Sequence, residues 1–377
     1  MNFPEKLAQK LEQRQNNNSL RELTTSKDLV DFSSNDYLGL SKNDFVFKAA
    51  HQLIHSIQNK NGSTGSRLIT GNNDLHESVE KFLADFFNAK SGLLFNSGYD
   101  ANIGVFSSIP QRGDIILYDE LIHASIRDGI GLSNAKAYKF KHNNISHLKT
   151  LIEKNIGTGD IYIATETVFS MDGDTPDLEE FVQLSEKYNA YLILDEAHAV
   201  GVFGKQGRGL VSEKKLEDKI FLRIHTFGKA MGCHGAVVLG SEELRAYLIN
   251  FARSFIYTTA IPMHSVAVIK SAFEFLQKNE NSIQELHQNI NYFKSHINSN
   301  KINFIDSDSA IHCCIISGND VVKQVAKTMQ NSGLDVRPIL SPTVPEGQER
   351  LRICLHNYNT KKEIDQFFDI LTPFFKS

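Results

Sequence analysis

Short apolar runs alternate with helical patterns along most of the chain. Residues 161–164 and 191–194 are apolar almost throughout, which is typical of strands buried on both faces of a parallel sheet. Helical segments lie between most of the strand candidates, so the pattern predicts an α/β fold with a mostly parallel, doubly wound sheet of seven strands. We expect these strands at residues 92–95, 114–118, 137–140, 160–166, 190–195, 219–226 and 235–240.

The two ends of the chain carry different patterns. Phe3, Leu7 and Leu11 stand four residues apart, which predicts a helical arm within about the first twenty residues. Beyond residue 275 an amphipathic stripe precedes short strand candidates at 311–316, 334–337 and 350–355 and a closing helix. We therefore expect an N-terminal arm (1–39), a large domain (40–275) and a smaller C-terminal α+β domain (276–377).

Composition and charge narrow the class of protein. The 377 residues exceed the roughly 250–300 at which single cores stop growing, so we expect more than one domain. With 40 basic and 44 acidic residues the net charge is −4, which offers no electrostatic attraction to nucleic acid or an anionic membrane. No apolar run approaches the roughly 18 residues of a membrane span, and residues 1–6 lack a signal-peptide core.

The cysteines and several short motifs exclude other classes. Four cysteines without a C-x-x-C pair indicate reduced thiols and a cytoplasmic protein. Residues 195–198 spell the DEAH of helicase-type ATPases, but Arg223 and Ala230 break the phosphate-binding motif around Gly228. The absence of a G-x-G-x-x-G motif argues against a classical dinucleotide-binding site, and the absence of a G-x-S-x-G motif argues against a serine hydrolase. Residues 312–314 read as a core strand, so we expect no metal.

Four groups of residues follow predicted strands at the edge where open α/β sheets bind ligands. The turn 96–99 leads into a helix whose amino terminus suits a phosphate, and His123 offers a flat ring. Asp195, with His198 beside it, ends a buried strand and needs a cation or donor. Lys229 precedes a glycine-rich segment that favours desolvation of its amine. Taken singly, each group also has an ordinary structural explanation. The turn 96–99 fits a common strand–helix turn, His123 a core histidine, Asp195 a helix cap and Lys229 a solvated surface lysine.

Together, the four groups supply the kinds of side chain that pyridoxal phosphate chemistry requires. One strand–helix–strand unit separates Asp195 from Lys229, so the acid and the amine should lie on neighbouring strands. Such an enzyme needs an acid that keeps the ring nitrogen protonated and a lysine that binds the cofactor covalently. The sequence therefore predicts a pyridoxal 5'-phosphate enzyme.

Six longer motifs carry a resemblance to a known family. They are FSSNDYLG at 32–39, GSTGSR at 62–67, VFSMDGD at 168–174, DEAH at 195–198, TFGK at 226–229 and PTVP at 342–345. With them the chain resembles, nearly end to end, the α-oxoamine synthases. These are fold-type I pyridoxal phosphate acyltransferases that join an amino acid to an acyl thioester with loss of CO₂. The resemblance implies that the large domain binds the cofactor.

The resemblance also implies roles for individual residues. Lys229 would bind the cofactor and act as base, Asp195 would pair with the ring nitrogen and His123 would stack on the ring. Ser170 and His198 would contact the cofactor near its ring oxygen. The phosphate would be bound by Gly98, Tyr99 and Thr226, and by Thr258 and Thr259 of a second subunit. The substrate contacts implied are Asn35 and Arg352 at the amino-acid carboxylate, Ser66 near the α-carbon, and Arg21 and Thr343 near the acyl group.

The implied activity is the condensation of L-alanine with a pimeloyl thioester in a homodimer with shared active sites. The motif at 342–345, which leads to Arg352, favours this branch of the family. Ser66 supports alanine, because glycine-specific relatives have threonine at this position and its methyl crowds the α-carbon. Acetyl, succinyl and long-chain acyl partners stay open, as do coenzyme A and a carrier protein as thioester carriers. A different class, a non-catalytic subunit of the same fold, is disfavoured by Lys229, Asp195 and His123 together.

Overall fold

The seven predicted strands form one central sheet. The protein is described by a computed structural model that covers residues 3–21, 23, 28–57, 61–300 and 302–375. The strands in chain order are β1 Val30–Asp31, β2 Ser91–Phe95, β3 Ile115–Asp119, β4 Lys136–Phe140, β5 Ile161–Glu166, β6 Tyr191–Asp195, β7 Leu222–Thr226, β8 Ala236–Gly240, β9 Ile311–Ile315, β10 Leu334–Asp335, β11 Arg337–Ile339 and β12 Arg350–Cys354.

Helices occupy most of the segments between the strands. They are α1 Glu5–Asn16, α2 Asp44–Ile57, α3 Asp74–Phe86, α4 Gly98–Ser108, α5 Ala124–Gly131, α6 Ile145–Asn155, α7 Leu178–Tyr188, α8 Leu210–Glu213, α9 Glu242–Phe251, α10 Arg253–Ile256, α11 Met263–Lys278, α12 Asn281–Asn300, α13 Asn319–Asn331 and α14 Lys361–Leu371. Short 3₁₀ turns and one π turn, Arg67–Gly71, complete the described elements.

The chain divides into two compact units. The larger unit comprises Asn35–Ser170 and Asp174–Leu286, and the smaller unit is drawn from Met1–Ser34, Met171–Gly173 and His287–Ser377. The domain boundaries that we expected from the sequence stay predictions.

The central sheet belongs to the larger unit and has the order β2-β8-β7-β6-β5-β3-β4. Strand β8 runs antiparallel to β2 and to β7, and the other neighbouring pairs are parallel. The prediction of an α/β fold with a mostly parallel seven-stranded sheet is therefore confirmed. Since β8 opposes both of its neighbours, β2 is parallel to β7. The carboxyl ends of six strands consequently lie along one edge of the sheet.

Apolar side chains cover both faces of this sheet except at the edge strand β4, most of whose residues are exposed. On one face, residues of α4, α5, α9 and α10 join inward residues of β2 and β5–β8 in one buried cluster, including Phe95, Val105, Phe106 and Ile224. Elsewhere, Phe87 and Phe227 both pack edge-on against Phe273 of α11, with ring centroids 5.4 Å away. The double cover explains why the strands read as continuous apolar runs in the sequence.

The smaller unit has its own sheets and an aromatic core. Strands β11, β12 and β9 form an antiparallel sheet, and β1 pairs with β10. Phe293 of α12 packs near Phe304, Phe367 and Phe368, with ring centroids 4.7–5.7 Å apart. The N-terminal helix is present as α1. Its residues Leu7 and Leu11 are exposed, as is Phe3, which precedes it.

Most predicted strands have bounds within one residue of those in the structure, and two differ by more. The strand expected at 219–226 begins at Leu222, because Glu217–Lys219 forms a 3₁₀ turn. The strand expected at 334–337 is interrupted at Val336 and divides into β10 and β11. The first difference is at a strand end, where a local turn competes with the ladder. The second arises because β10 pairs with β1, whereas β11 pairs with β12.

Three further observations concern helix length, the cysteines and the side chains that could bind a metal. Over the described part of the chain, no helix has the length and apolar character needed to cross a membrane. Residues 312–314 lie in the buried strand β9, and all four cysteines are free thiols. No group of metal-binding side chains occurs among the residues that the structure covers.

A buried ion-pair network anchors α3 to the sheet. Glu80 accepts hydrogen bonds from Arg67 Nη1 at 2.8 Å, Arg245 Nη2 at 2.7 Å and the backbone N of Leu94 at 2.9 Å. The side chains of Arg67 and Glu80 are 6% and 3% exposed. Removal of Glu80 would leave the buried Arg67 guanidinium with the longer, 3.5 Å contact to the more exposed Glu77 and would take the acceptor from the backbone N of Leu94.

We therefore predict that Glu80→Ala lowers the unfolding free energy by about 3–5 kcal/mol, as loss of one member of a buried pair does. Asp85→Ala is the matched control, because it breaks the exposed Lys81–Asp85 pair on the same helix and should cost under about 1 kcal/mol. Urea denaturation of both variants measures the difference. Equal losses would contradict a buried, energetically important network.

Candidate active site

The register of the central sheet aligns the ends of four strands. Ala236, the first residue of β8, pairs with Phe95 on one side and with Thr226 on the other. Asp195, the last residue of β6, pairs with Glu166, the last residue of β5. The segments that follow these strand ends therefore emerge side by side at the carboxyl edge, where the site was expected.

A cavity of about 210 Å³ lies at this edge. Eight of the predicted site residues line it: Asn35, Gly98, Tyr99, His123, Asp195, His198, Thr226 and Lys229. The other lining residues are Ser97, Asn102, Ser125, Glu166, Ala197, Gly228, His234 and Gly235. All of them belong to the larger unit.

The turn between β2 and α4 forms one wall of the cavity. The Ser97 hydroxyl accepts a hydrogen bond from the backbone N of Asp100 at 3.1 Å and so caps the helix. A Cβ at Gly98 would lie 2.3 Å from Thr226 Cγ2, so this close approach requires glycine. The first N–H groups of α4 have no partner within the helix, which suits this wall for an anion.

Lys229 lies on the segment that follows β7. Its Nζ donates a hydrogen bond to Thr226 Oγ1 at 3.1 Å, and the side chain is half-buried. The amine and the threonine hydroxyl thus share one side of the cavity, beside the amino terminus of α4.

Asp195 is buried at the base of the cavity and held by two donors. Asn102 Nδ2 donates to Asp195 Oδ2 at 2.9 Å, and the backbone N of Ala197 donates to Oδ1 at 2.9 Å. These bonds fix both carboxylate oxygens on the protein side. Asn102 lies on α4, so the helix beside the turn also orients the acid.

His123 is joined to the same network through Ser125. Asn102 Nδ2 donates to Ser125 Oγ at 3.0 Å, and Ser125 Oγ lies 2.7 Å from His123 Nδ1. The backbone N of Ser125 donates to the same Nδ1, so Nδ1 is an acceptor and the ring proton is on Nε2. Burial lowers the pKa of His123, which keeps the imidazole neutral.

Glu166 is a site residue that the sequence reasoning missed. It is 3% exposed, and its Oε1 accepts a hydrogen bond from the backbone N of His123 at 2.5 Å. Burial, reinforced by the neighbouring Asp195, raises the pKa of Glu166 well above its usual range. The signal was available, because Glu166 is an acid at the end of a buried strand just as Asp195 is.

The remaining predicted residues lie elsewhere. Ser170, Ser66, Thr258 and Thr259 belong to the larger unit but do not line the described cavity. Asn96 Nδ2 donates to Thr258 Oγ1 at 3.2 Å, and Ser66 precedes the π turn.

Three more predicted residues belong to the smaller unit. Arg21 Nη2 donates to Thr343 Oγ1 at 3.3 Å, and buried Arg352 Nη1 donates to Cys354 Sγ at 3.0 Å. The residues at 22 and 24–27 lie outside the described part of the chain. The substrate contacts of Arg21, Thr343 and Arg352 stay predictions.

A charged histidine ties together two loops of the larger unit. His142 Nδ1 donates to Asp119 Oδ1 at 3.0 Å, and Nε2 donates to Asp174 Oδ2 at 2.8 Å. Asp174 closes the loop that carries Ser170. Burial lowers the pKa of His142, but the bonds to Asp119 and Asp174 outweigh it and raise the pKa to about 10.

Known proteins are similar to this chain in sequence and architecture. Residues 27–371 match the family model of aminotransferase class I and II. An 8-amino-7-oxononanoate synthase of Emericella nidulans is 44% identical, over 91% of this chain and 88% of its own. The structure of 8-amino-7-oxononanoate synthase from Francisella tularensis has 30% identity and a TM-score of 0.80, covering 93% of this chain and 99% of that one. A serine palmitoyltransferase structure with pyridoxal phosphate has a TM-score of 0.89 at 24% identity, covering 98% and 96%, and shows likeness of fold alone.

The bridging position of His142 predicts a pH-dependent contribution to stability. Its pKa in the folded chain is raised from 6.5 to about 10, so the contribution is complete below pH 6.5 and disappears as the pH rises toward 10. Each tenfold gain in proton affinity on folding contributes about 1.4 kcal/mol. His142→Asn should therefore lower the unfolding free energy by several kcal/mol at pH 6.5 and by progressively less up to pH 10.

Denaturation at a series of pH values measures this difference against wild type. His55→Asn, at an exposed histidine of α2, serves as the control and should show no comparable trend. A His142→Asn loss that is constant with pH would contradict the charged bridge.

Proposed function

Because the chain belongs to the aminotransferase class I and II family, we propose that it is an 8-amino-7-oxononanoate synthase. This pyridoxal phosphate acyltransferase condenses L-alanine with a pimeloyl thioester in biotin biosynthesis. The observation that carries the proposal is the convergence of Asp195, Lys229 and His123 on one cavity. The identity of 44% with a relative of that name supports the branch.

The residues of the cavity fit pyridoxal 5'-phosphate in number and kind. An amine (Lys229), an acid (Asp195) and a flat neutral imidazole (His123) line one space. Gly98 leaves room for close approach at the amino terminus of α4, where a phosphate is favoured. When bound, the cofactor supplies an electron sink for the negative charge that develops at the α-carbon of the amino acid.

Each residue then has a definite task. Asp195 would hold a proton at the pyridine nitrogen, and Asn102 and the backbone N of Ala197 hold its carboxylate in place. His123 would stack on the ring, and Ser125 supports its neutral state. Lys229 would hold the cofactor covalently, and its amine, once released, would accept the α-proton of alanine at Nζ as general base.

The phosphate and the substrates are bound by residues around these groups. Gly98, Tyr99 and Thr226 bind the phosphate, and Thr258 and Thr259 reach it from the second subunit of a homodimer. Ser170 and His198 contact the ring oxygen. Asn35 and Arg352 bind the carboxylate of alanine, Ser66 leaves space for its methyl group, and Arg21 and Thr343 contact the acyl substrate. Free thiols at all four cysteines are consistent with a cytoplasmic enzyme.

The reaction balances without an added oxidant or reductant. A bond forms between the α-carbon of alanine and the acyl carbonyl carbon, and the thioester C–S bond breaks. The bond from the α-carbon to the carboxylate then breaks, which releases CO₂, and the α-carbon takes up a proton. The products are 8-amino-7-oxononanoate, the free thiol and CO₂.

A comparison of substrate pairs tests the proposal. We predict that pyridoxal phosphate-loaded protein turns over L-alanine with pimeloyl-coenzyme A at a higher kcat/KM than glycine with acetyl-coenzyme A or serine with palmitoyl-coenzyme A. Mass spectrometry identifies the product of each pair. If glycine with the acetyl thioester is the best pair, the branch is wrong although the family stands.

Ser66→Thr sharpens the same comparison. The added methyl should lower the alanine-to-glycine ratio of kcat/KM by about tenfold or more, as one methyl group in a tight pocket does. Ser63→Thr, in the same glycine-rich segment, is the control and should leave the ratio unchanged. An unchanged ratio in Ser66→Thr would remove Ser66 from the α-carbon pocket.

A further inference from the structure

A buried tyrosine hydroxyl contacts two residues that line the cavity. Tyr37 is 0% exposed, and its Oη lies 2.7 Å from His198 Nδ1 and 3.2 Å from Asn35 Oδ1. Both Asn35 and His198 line the cavity, whereas Tyr37 does not. The tyrosine therefore lies behind the wall and joins two of its side chains.

The single hydroxyl proton determines the direction of these bonds. An amide oxygen can only accept, so Tyr37 Oη donates to Asn35 Oδ1. The same oxygen then accepts from His198, which requires the ring proton on Nδ1. The second ring nitrogen, Nε2, is consequently in its acceptor form.

The hydroxyl is not needed for packing. Phenylalanine has the same ring, and many of the largest fully buried side chains of the described chain are phenylalanines. Burying a hydroxyl lowers stability unless its hydrogen bonds are made. Its presence at position 37 is explained by what those two bonds do to Asn35 and His198.

We propose that Tyr37 is a positioning residue that orients Asn35 and His198 together. With Oδ1 turned to Tyr37, the Nδ2 end of Asn35 is the donor for the carboxylate of the amino acid. With Nδ1–H turned to Tyr37, His198 Nε2 is the acceptor for the hydroxyl at the cofactor ring oxygen. The chemical roles rest on the proposed function, whereas the hydrogen-bond pattern belongs to the folded chain itself.

Tyr37→Phe tests the pattern in the cofactor-free protein. Two-bond ¹H–¹⁵N correlation spectra of histidine-labelled protein report which ring nitrogen carries the proton. We expect Nδ1–H for His198 in wild type and a shift to Nε2–H in Tyr37→Phe. Tyr247→Phe is the matched control, because it removes a hydroxyl that is bonded to Ser108 O. Neither residue lines the cavity, so the His198 signal should not change. The same tautomer in wild type and Tyr37→Phe would overturn the proposal.

Asn35→Ala provides a second variant if Tyr37→Phe does not fold. Loss of the Asn35 oxygen frees the tyrosine proton for His198 Nδ1, so the ring should again become the Nε2–H tautomer. Persistence of Nδ1–H in this variant would equally overturn the pattern.

Steady-state kinetics then test the positioning role. In Tyr37→Phe, kcat/KM for alanine should fall about tenfold, as loss of one hydrogen bond of ordinary strength allows, and KM for the acyl thioester should not change. The Tyr37→Phe/His198→Asn double variant should be within about twofold of His198→Asn alone, because one residue acts through the other. A double variant whose loss of kcat/KM equals the product of the two single losses would contradict the positioning role.

Absence of wild-type turnover would refute the proposed function, and the tautomer measurement would still decide the role of Tyr37.

Discussion

The parallel pairing of β5, β6 and β7 is the constraint on which the site depends. It places Glu166 beside Asp195 and brings the segment 226–229, which follows β7, next to Asp195. A slip of one residue between β6 and β7 would reverse the faces of the side chains and put Glu196 where Asp195 lies. Glu196 has a different environment, in which its Oε1 accepts from the backbone N of Val211. The register of β6 against β7 therefore decides which of the two acids faces the cavity.

The same edge holds two buried acids in unlike surroundings. Asp195 has the amide of Asn102 and the backbone N of Ala197 as donors. Glu166 accepts from the backbone N of His123, and burial raises its pKa. Separation of two neighbouring carboxyl groups by their environments is how one site assigns different tasks to similar residues. In the proposed function Asp195 would face the ring nitrogen, whereas Glu166 holds the backbone of His123.

The sequence predicted the features that local pattern controls and missed those that tertiary contact creates. The seven strands followed from apolar runs, and Asp195 and Lys229 followed from their positions after strands. Asn102 could not be found in this way, because it acts only once α4 packs over the carboxyl edge. Tyr37 lay within the motif at 32–39, but the local sequence pattern did not indicate the contacts of its hydroxyl. Strand ends were misjudged where a turn such as Glu217–Lys219 competes with the ladder.

The most direct test of the account is the site of covalent attachment. Borohydride reduction of the pyridoxal phosphate-loaded protein fixes the cofactor to the lysine that holds it, and peptide mapping by mass spectrometry locates that lysine. The account predicts a single modified peptide, which contains Lys229. In the Lys229→Ala variant no peptide should be modified. Modification at another lysine, or none, would contradict the claim that the β6–β7 edge is a pyridoxal phosphate site.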